Sequence, residues 1–142
     1  GKLYLKVKKY SKAKMIFGEL ISADKENSNY YYQYALSNPQ PKKIFKRIDY
    51  YLLAYKKDNK HFNAIEKLAR SFSIIKDRDS ALVFIDKGLE LRPNHIDLNR
   101  LKINSLFRIK NMKRVLNCLN ILILFSQTNI IHTKCWDEAI LI

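Results

Sequence analysis

Glycine and proline are scarce in this chain, with three of each among 142 residues. Their scarcity indicates long regular elements. Gly18 and Gly88 stand alone within helical patterns, which excludes a glycine-rich phosphate-binding loop. Cysteine is also rare, and Cys118 and Cys135 are too few for the disulfide framework of a small secreted domain. Both cysteines fall in apolar helical pattern, so we predict small buried side chains there.

Acidic residues are outnumbered by basic ones, 13 against 27, and the net charge is +14. Such an excess favours acidic proteins, nucleic acid or anionic lipid as partners, although solubility and a biased genome explain it equally well. The strongest apolar run, residues 115–125, is far shorter than the about 20 residues that a membrane-spanning helix needs. We therefore predict a buried helix and no transmembrane segment. The sequence does not fix the compartment, and the cytoplasm is the favoured one.

Patterns that would support catalysis or metal binding are missing from the sequence. His61, His95 and His132 are far apart along the chain. Cys135 lies three residues after His132, but two ligands without further partners do not make a zinc site. We therefore predict a noncatalytic protein, with no metal and no cofactor.

The sequence does contain a period of 34 residues that runs without insertions. One repeated position holds Lys8, Lys42, Lys76 and Lys110. A second holds Ala13, Arg47, Ala81 and Val115, and a third holds Gly1, Ala35, Ala69 and Ile103. A fixed period of this size predicts stacked helical pairs, in which each unit buries its apolar face against the next.

The third unit, residues 62–95, resembles the tetratricopeptide repeat (TPR). That family's 34-residue helix–turn–helix unit has large and small residues at fixed positions and often a proline near its end. The matching residues are Ile65, Leu68, Ala69, Phe72, Ala81, Ile85, Gly88 and Pro93. Units 28–61 and 96–129 keep the pattern less closely, and unit 1–27 is truncated. The resemblance implies an all-α protein, a right-handed α-solenoid of antiparallel helix pairs that forms a single domain over residues 1–142.

We predict helices over residues 1–7, 10–24, 28–38, 41–56, 60–74, 78–91, 95–108 and 111–125, and a further helix within 130–142. The chain starts without methionine at a residue inside a first helix, so we expect it to be a fragment of a longer protein. Arg47 stands where the family has a small residue. We predict that its stem lies along the edge of the core, with the guanidinium in water or paired with a carboxylate.

The resemblance implies a concave peptide-binding groove lined by the first helix of each unit. We expect an adaptor or scaffold that holds a partner's peptide or helix there, although an ordinary solvated face remains the alternative. Amide and phenol groups can bond a peptide backbone, and cations attract acidic side chains. The candidate groove residues are Lys2, Lys6, Asn29, Tyr32, Gln33, Asn63, Lys67, Arg70, Arg100, Asn104, Phe107 and Arg108.

Some members of this family clamp the terminal carboxylate of chaperone tails with lysine and asparagine. Here Glu66 stands where the lysine of the clamp would be, and Arg70 replaces its first asparagine. Leu101 replaces the next asparagine. We therefore do not expect this chain to bind those tails.

A second candidate surface is a basic ridge along the turns between the two helices of each unit. It gives the alternative function, electrostatic binding of nucleic acid or anionic membrane. A lysine at the end of a helix offsets the helix dipole, but lysines at the start of the next helix are not explained in this way. The ridge residues are Lys8, Lys9, Lys12, Lys42, Lys43, Lys46, Lys76, Arg78, Lys110, Lys113 and Arg114.

Tyrosines cluster in the second unit, which suggests stacking on single-stranded nucleic acid. Core packing accounts for several of them, because Tyr31, Tyr34 and Tyr51 occupy predicted core positions. The residues left free to stack on a base are Tyr30, Tyr32 and Tyr55. A third interpretation is a regulatory part of a larger protein, with self-association through the apolar C-terminal helices.

Overall fold

The computed structural model describes residues 1–107, together with Lys113 and Leu116. The chain divides into two compact units, Gly1–Lys102 and Ile103–Ile142. Several sequence predictions lie outside the described residues: the course of helices 111–125 and 130–142, self-association through them, the groove residue Arg108, and the ridge residues Lys110 and Arg114. Lys113, also predicted for the ridge, is helical and exposed.

The described residues form helices and connections, with no strand among them. The helices are α1 (Lys2–Lys6), α2 (Tyr10–Ala23), α3 (Ser28–Leu36), α4 (Ile44–Lys57), α5 (Phe62–Ile74), α6 (Arg78–Leu91) and α7 (96–107). They pack sequentially in antiparallel pairs, as predicted. We call the first helix of each pair (α1, α3, α5, α7) an A helix and the second (α2, α4, α6) a B helix.

Small residues at the repeated positions are completely buried, as the close approach of paired helices requires. Ala13, Ala35, Ala54, Ala69 and Ala81 all have an exposed fraction of 0%. Gly88 goes further, because a Cβ atom added there would lie 2.5 Å from Cδ1 of Leu98. The predicted role of these positions is therefore confirmed.

The core around the third repeat holds the largest fully buried side chains among the described residues. Ile65 and Leu68 of α5 pack with Ile85 of α6 and Leu98 of α7. Burial of one such side chain is worth about 1.5–3 kcal/mol. This cluster extends to Tyr51 of α4, so it joins neighbouring repeats into one apolar layer.

The start of each of three successive A helices is capped at the same repeat position. Asn27 caps α3 through its side chain. The Nδ1 atoms of His61 and His95 accept hydrogen bonds from the backbone N–H of Ala64 and Leu98, at 3.2 and 3.3 Å. The sequence interpretation considered these histidines only as candidate ligands or catalytic groups. Their spacing of 34 residues was the signal that could have revealed the shared role.

The A–B turns of the first and third repeats end their A helices in the same way. Lys8 and Lys76 adopt the left-handed conformation, with φ of 58° and 65°. The backbone N–H of the next residue, Lys9 or Asp77, bonds back to the last turn of the A helix. This is the Schellman motif, in which the left-handed position usually holds glycine.

Arg47 is bonded to a backbone carbonyl and not to the carboxylate that was one of its two predicted partners. Its Nη1 donates to the backbone carbonyl of Pro39 at 3.3 Å, and no carboxylate pairs with it among the described residues. Its Nε is buried without a hydrogen-bond partner among the described residues. Gln40 is extended, which leaves the Pro39 carbonyl outside the helical hydrogen-bond ladders and within reach of the guanidinium.

Candidate binding surfaces

The A-helix face of the unit Gly1–Lys102 brings several predicted groove residues together. The rings of Tyr32 (α3) and His61 (start of α5) lie 5.2 Å apart. An ion pair between Arg70 and Asp97 joins α5 to α7, with 2.6 Å between Nη2 and Oδ2. These contacts link the A-helix faces of α3 and α5, and of α5 and α7.

Arg70 is held by two carboxylates of its own chain. Its Nε donates to Glu66 Oε1 at 3.0 Å, and its Nη2 donates to Asp97 at 2.6 Å. Partial burial lowers the pKa of Arg70, but these hydrogen bonds outweigh burial and the net shift is upward. Two of the three guanidinium nitrogens are therefore engaged within the chain. The described contacts leave Nη1 as the nitrogen that can donate to a partner.

Tyr32 is packed on its neighbours rather than free to stack on a base. Its ring centroid lies 5.9 Å from that of Tyr51, in addition to its contact with His61. Burial raises the pKa of Tyr32, and the negative charge of Glu66 adds to the effect. Burial also raises the pKa of Tyr51 to about 12. Tyr32 is thus a half-buried, fixed ring at the centre of the face.

Tyr55 is also unavailable for base stacking, contrary to the prediction. Its ring meets Phe84 edge-on at 5.4 Å, and Lys87 Nζ lies 5.6 Å from its centroid. Tyr30 is half-buried. The tyrosine cluster is therefore used largely for packing between repeats, because large rings bury more apolar area than other side chains.

The remaining groove residues provide amides and cations. Gln33 Nε2 donates to Asn29 Oδ1 at 3.4 Å on α3. Asn63 is exposed and Lys67 is half-buried on α5. Predicted groove residues that are exposed elsewhere in this unit are Lys2, Lys6 and Arg100. Asn104 and Phe107 belong to the second unit, and both are exposed.

The predicted basic ridge is strongest in the first two repeats. Six lysines there are exposed, and we call them the basic edge: Lys8, Lys9, Lys12, Lys42, Lys43 and Lys46. In the third repeat Lys76 is exposed, but Asp77 and Asp79 accompany Lys76 and Arg78. Arg78 is half-buried and has a partner. The charges of these four side chains therefore sum to zero.

The basic side chains of the first two repeats approach each other around one tyrosine pair. Lys14 Nζ lies 5.9 Å from the centroid of Tyr34, whose ring is 4.4 Å from that of Tyr50. Burial and a side-chain hydrogen bond with Tyr34 raise the pKa of Tyr50, while the charges of Lys46 and Lys14 act in the opposite direction. Lys46 of α4 and Lys14 of α2 therefore both lie near enough to Tyr50 for their charges to act on its hydroxyl.

The described residues contain neither a membrane-spanning helix nor a cluster of metal ligands. No helix in that part of the chain is both long and apolar enough to cross a membrane. Within the same residues, no three histidine, cysteine or acidic side chains converge as metal ligands would.

The fold is that of tetratricopeptide repeat domains. A solved structure of the first TPR domain of Spaghetti (RPAP3), bound to the HSP90 peptide SRMEEVD, superimposes with a TM-score of 0.71. The two sequences are 19% identical, and the superposition covers 78% of this chain and 89% of the Spaghetti (RPAP3) chain. No family model and no curated protein matches the sequence. The predicted resemblance in fold is therefore confirmed at the level of structure.

Proposed function

We propose that this chain is a noncatalytic protein-interaction module that binds a peptide or helix of a partner on its A-helix face. The observation that carries the proposal is the Glu66–Arg70–Asp97 network beside the fixed ring of Tyr32. An arginine fixed by two carboxylates loses little side-chain entropy when it binds a partner. A domain of similar fold, the first TPR domain of Spaghetti (RPAP3), has been solved with a bound peptide.

The chemistry of the face suits the backbone of a partner together with acidic side chains. Amides of Asn29, Gln33 and Asn63 can donate to and accept from a peptide backbone. Lys67 and the Nη1 atom of Arg70 can bind a carboxylate or carbonyl oxygen. Tyr32 supplies an apolar surface for an aliphatic or aromatic side chain.

The face is not built for the carboxylate terminus of a chaperone tail. Glu66 is half-buried in the position of the clamp's lysine and is engaged with Arg70. A second carboxylate placed against it would meet like charge in a partly desolvated site. We therefore expect no measurable binding of the peptide SRMEEVD.

The test is selection of binders from a phage-displayed library of 12-residue peptides, followed by titration of the selected peptides. We expect enriched peptides with acidic residues. The double variant N63A/K67A should weaken their binding about tenfold or more, because it removes an amide and a charge from exposed or half-buried positions. The control K60A changes an exposed lysine in a B–A turn and should leave binding unchanged.

Three results would contradict this proposal. They are a library that yields no enriched sequence, selected peptides that bind N63A/K67A as well as the wild-type chain, and equal weakening by K60A. Thermal unfolding of each variant separates loss of binding from loss of fold.

A further inference from the structure

The two ends of the helix pairs differ in charge. The A–B turns (residues 7–9, 37–43 and 75–77) contain five lysines and one aspartate, a net charge of +4. The B–A turns (residues 24–27, 58–61 and 92–95) contain three basic and three acidic residues, a net charge of zero with histidine neutral. Because helices alternate in direction, each set of turns lies at one end of the pairs. The positive charge of the connections is therefore concentrated at the A–B end.

The lysines of the basic edge are available to an outside partner. None of the six takes part in an ion pair among the described residues. Lys12 Nζ lies 6.0 Å from the ring centroid of Tyr4, which leaves its charge at the surface. Lys8 also keeps a left-handed backbone that glycine would adopt at lower energy. The positive charge of these lysines is therefore not neutralised by ion pairs among the described residues.

Large apolar side chains are exposed at the same A–B end. Val7 is 53% exposed, Phe45 is 65% exposed and Ile74 is 67% exposed. Phe45 lies between Lys43 and Lys46 at the start of α4. Isolated exposed apolar residues are normal, but here each stands at the end that carries the lysines. The sequence interpretation did not single out Val7 and Phe45, because they fall outside the repeat's core positions.

We propose that the basic edge docks on an anionic membrane surface, with the Phe45 side chain entering the headgroup layer between its flanking lysines. Lysines near an anionic leaflet and an adjacent aromatic or aliphatic side chain are the two features that hold peripheral proteins on lipid. This surface is distinct from the A-helix face, so it does not depend on the proposed peptide binding.

The exposed side chains favour lipid over single-stranded nucleic acid. Nucleic-acid surfaces of this kind place aromatic rings where bases can stack. Phe45 is aromatic, but its exposed neighbours at this end, Val7 and Ile74, cannot stack. Tyr32 and Tyr55 are packed on other rings. Burial of an aliphatic side chain at the boundary between lipid headgroups and acyl chains is favourable, whereas contact with a base offers it nothing comparable.

The test is sedimentation of the full chain with vesicles of phosphatidylcholine alone or with added phosphatidylserine. We expect binding only with phosphatidylserine, falling as salt rises. K42E/K43E should weaken binding by at least about twentyfold, at about fivefold for each lysine. The matched control K25E/K60E makes the same charge change in two B–A turns and should have a much smaller effect.

A second pair of variants separates insertion from simple charge attraction. F45S should weaken binding about tenfold. The control I96S removes an equally exposed apolar side chain, 73% exposed, after a B–A turn and should bind as the wild type does. Neither position is in the buried core, so both variants should keep the wild-type circular dichroism spectrum.

The membrane proposal is overturned if F45S binds vesicles normally, or if K25E/K60E is as damaging as K42E/K43E. It is also overturned if the chain binds a single-stranded oligonucleotide but not phosphatidylserine vesicles. Peptide titration with K42E/K43E tests the two surfaces separately. The affinity of this variant for the selected peptides should change by no more than about twofold, through the long-range effect of its altered charge.

Discussion

The second repeat, residues 28–61, and the third, residues 62–95, have the same length but close their A–B turns differently. The third ends α5 with backbone hydrogen bonds around the left-handed Lys76. The second ends α3 earlier and satisfies the carbonyl of Tyr34 with buried side chains, at 2.6 Å from Ser37 Oγ and 3.0 Å from Asn38 Nδ2. The helix pairing is therefore compatible with two local solutions for the same connection.

The same two repeats differ at a position inside the helix pair. Ala81 is completely buried in the third repeat, whereas Arg47 occupies the equivalent place in the second. The guanidinium fits because the Pro39 carbonyl, in the longer connection of that repeat, accepts a hydrogen bond from it. A departure from the family pattern is thus matched by a change in the neighbouring turn.

Exchange of these side chains should give the largest effect. We expect A81R to destabilise the protein by more than about 3 kcal/mol, because a charge would be buried where no such carbonyl is provided. R47A should cost about 1 kcal/mol, from one hydrogen bond and the packing of the stem. Urea unfolding followed by circular dichroism measures both. Similar losses for the two variants would show that the Pro39 turn does not compensate.

Substitution of Gly88 by alanine should destabilise the protein by a smaller amount. The equivalent Ala54 is accommodated in the second repeat, but a Cβ at Gly88 would meet Leu98 Cδ1 at 2.5 Å. Overpacking costs about 1–3 kcal/mol, and better helix propensity returns about 1 kcal/mol, so we expect a net loss of about 1 kcal/mol. Thermal unfolding measures the change.

The control for this variant is G18A. A Cβ at Gly18 meets only Tyr34 Cε2, at the ordinary contact distance of 3.7 Å. Helix propensity should then dominate and stabilise the protein by about 0.5–1 kcal/mol. A gain for G88A equal to that for G18A would mean that Leu98 moves aside without cost.

A gain of similar size to the loss at Gly88 is expected at Lys76. Glycine removes the cost of a left-handed side-chain-bearing residue, so K76G should stabilise the protein by about 1 kcal/mol. Lys42 has the same repeat position but lies in the 3₁₀ helix Pro41–Lys43, so K42G should give no gain. Denaturant midpoints compare them. A gain for K42G would contradict the difference between the two turns.

The helices and the buried small residues could be predicted because both follow directly from spacing. The period placed Ala35, Ala69 and Ala81 in the core, and the structure confirms this. Spacing says nothing about how polar side chains pair across repeats. The bond between Arg70 and Asp97 joins residues 27 positions apart and depends on the rotamers of two helices. The sequence therefore identified Arg70 as a surface residue but not its partners.

The turns show the same limit of sequence pattern. Lysine gives no sign of the left-handed conformation at Lys8 and Lys76, since glycine is the usual marker of that geometry. Phe45 was also missed, because a pattern that records buried positions is silent about an apolar residue on the outside. The membrane docking proposed for the A–B end depends on residues of this second kind.

The imidazole of His61 has two contacts that belong to different parts of the molecule. One is the ring of Tyr32 on the preceding A helix, and the other is the backbone N–H of Ala64 in the first turn of α5. A single side chain therefore both begins α5 and supports the ring of the preceding repeat.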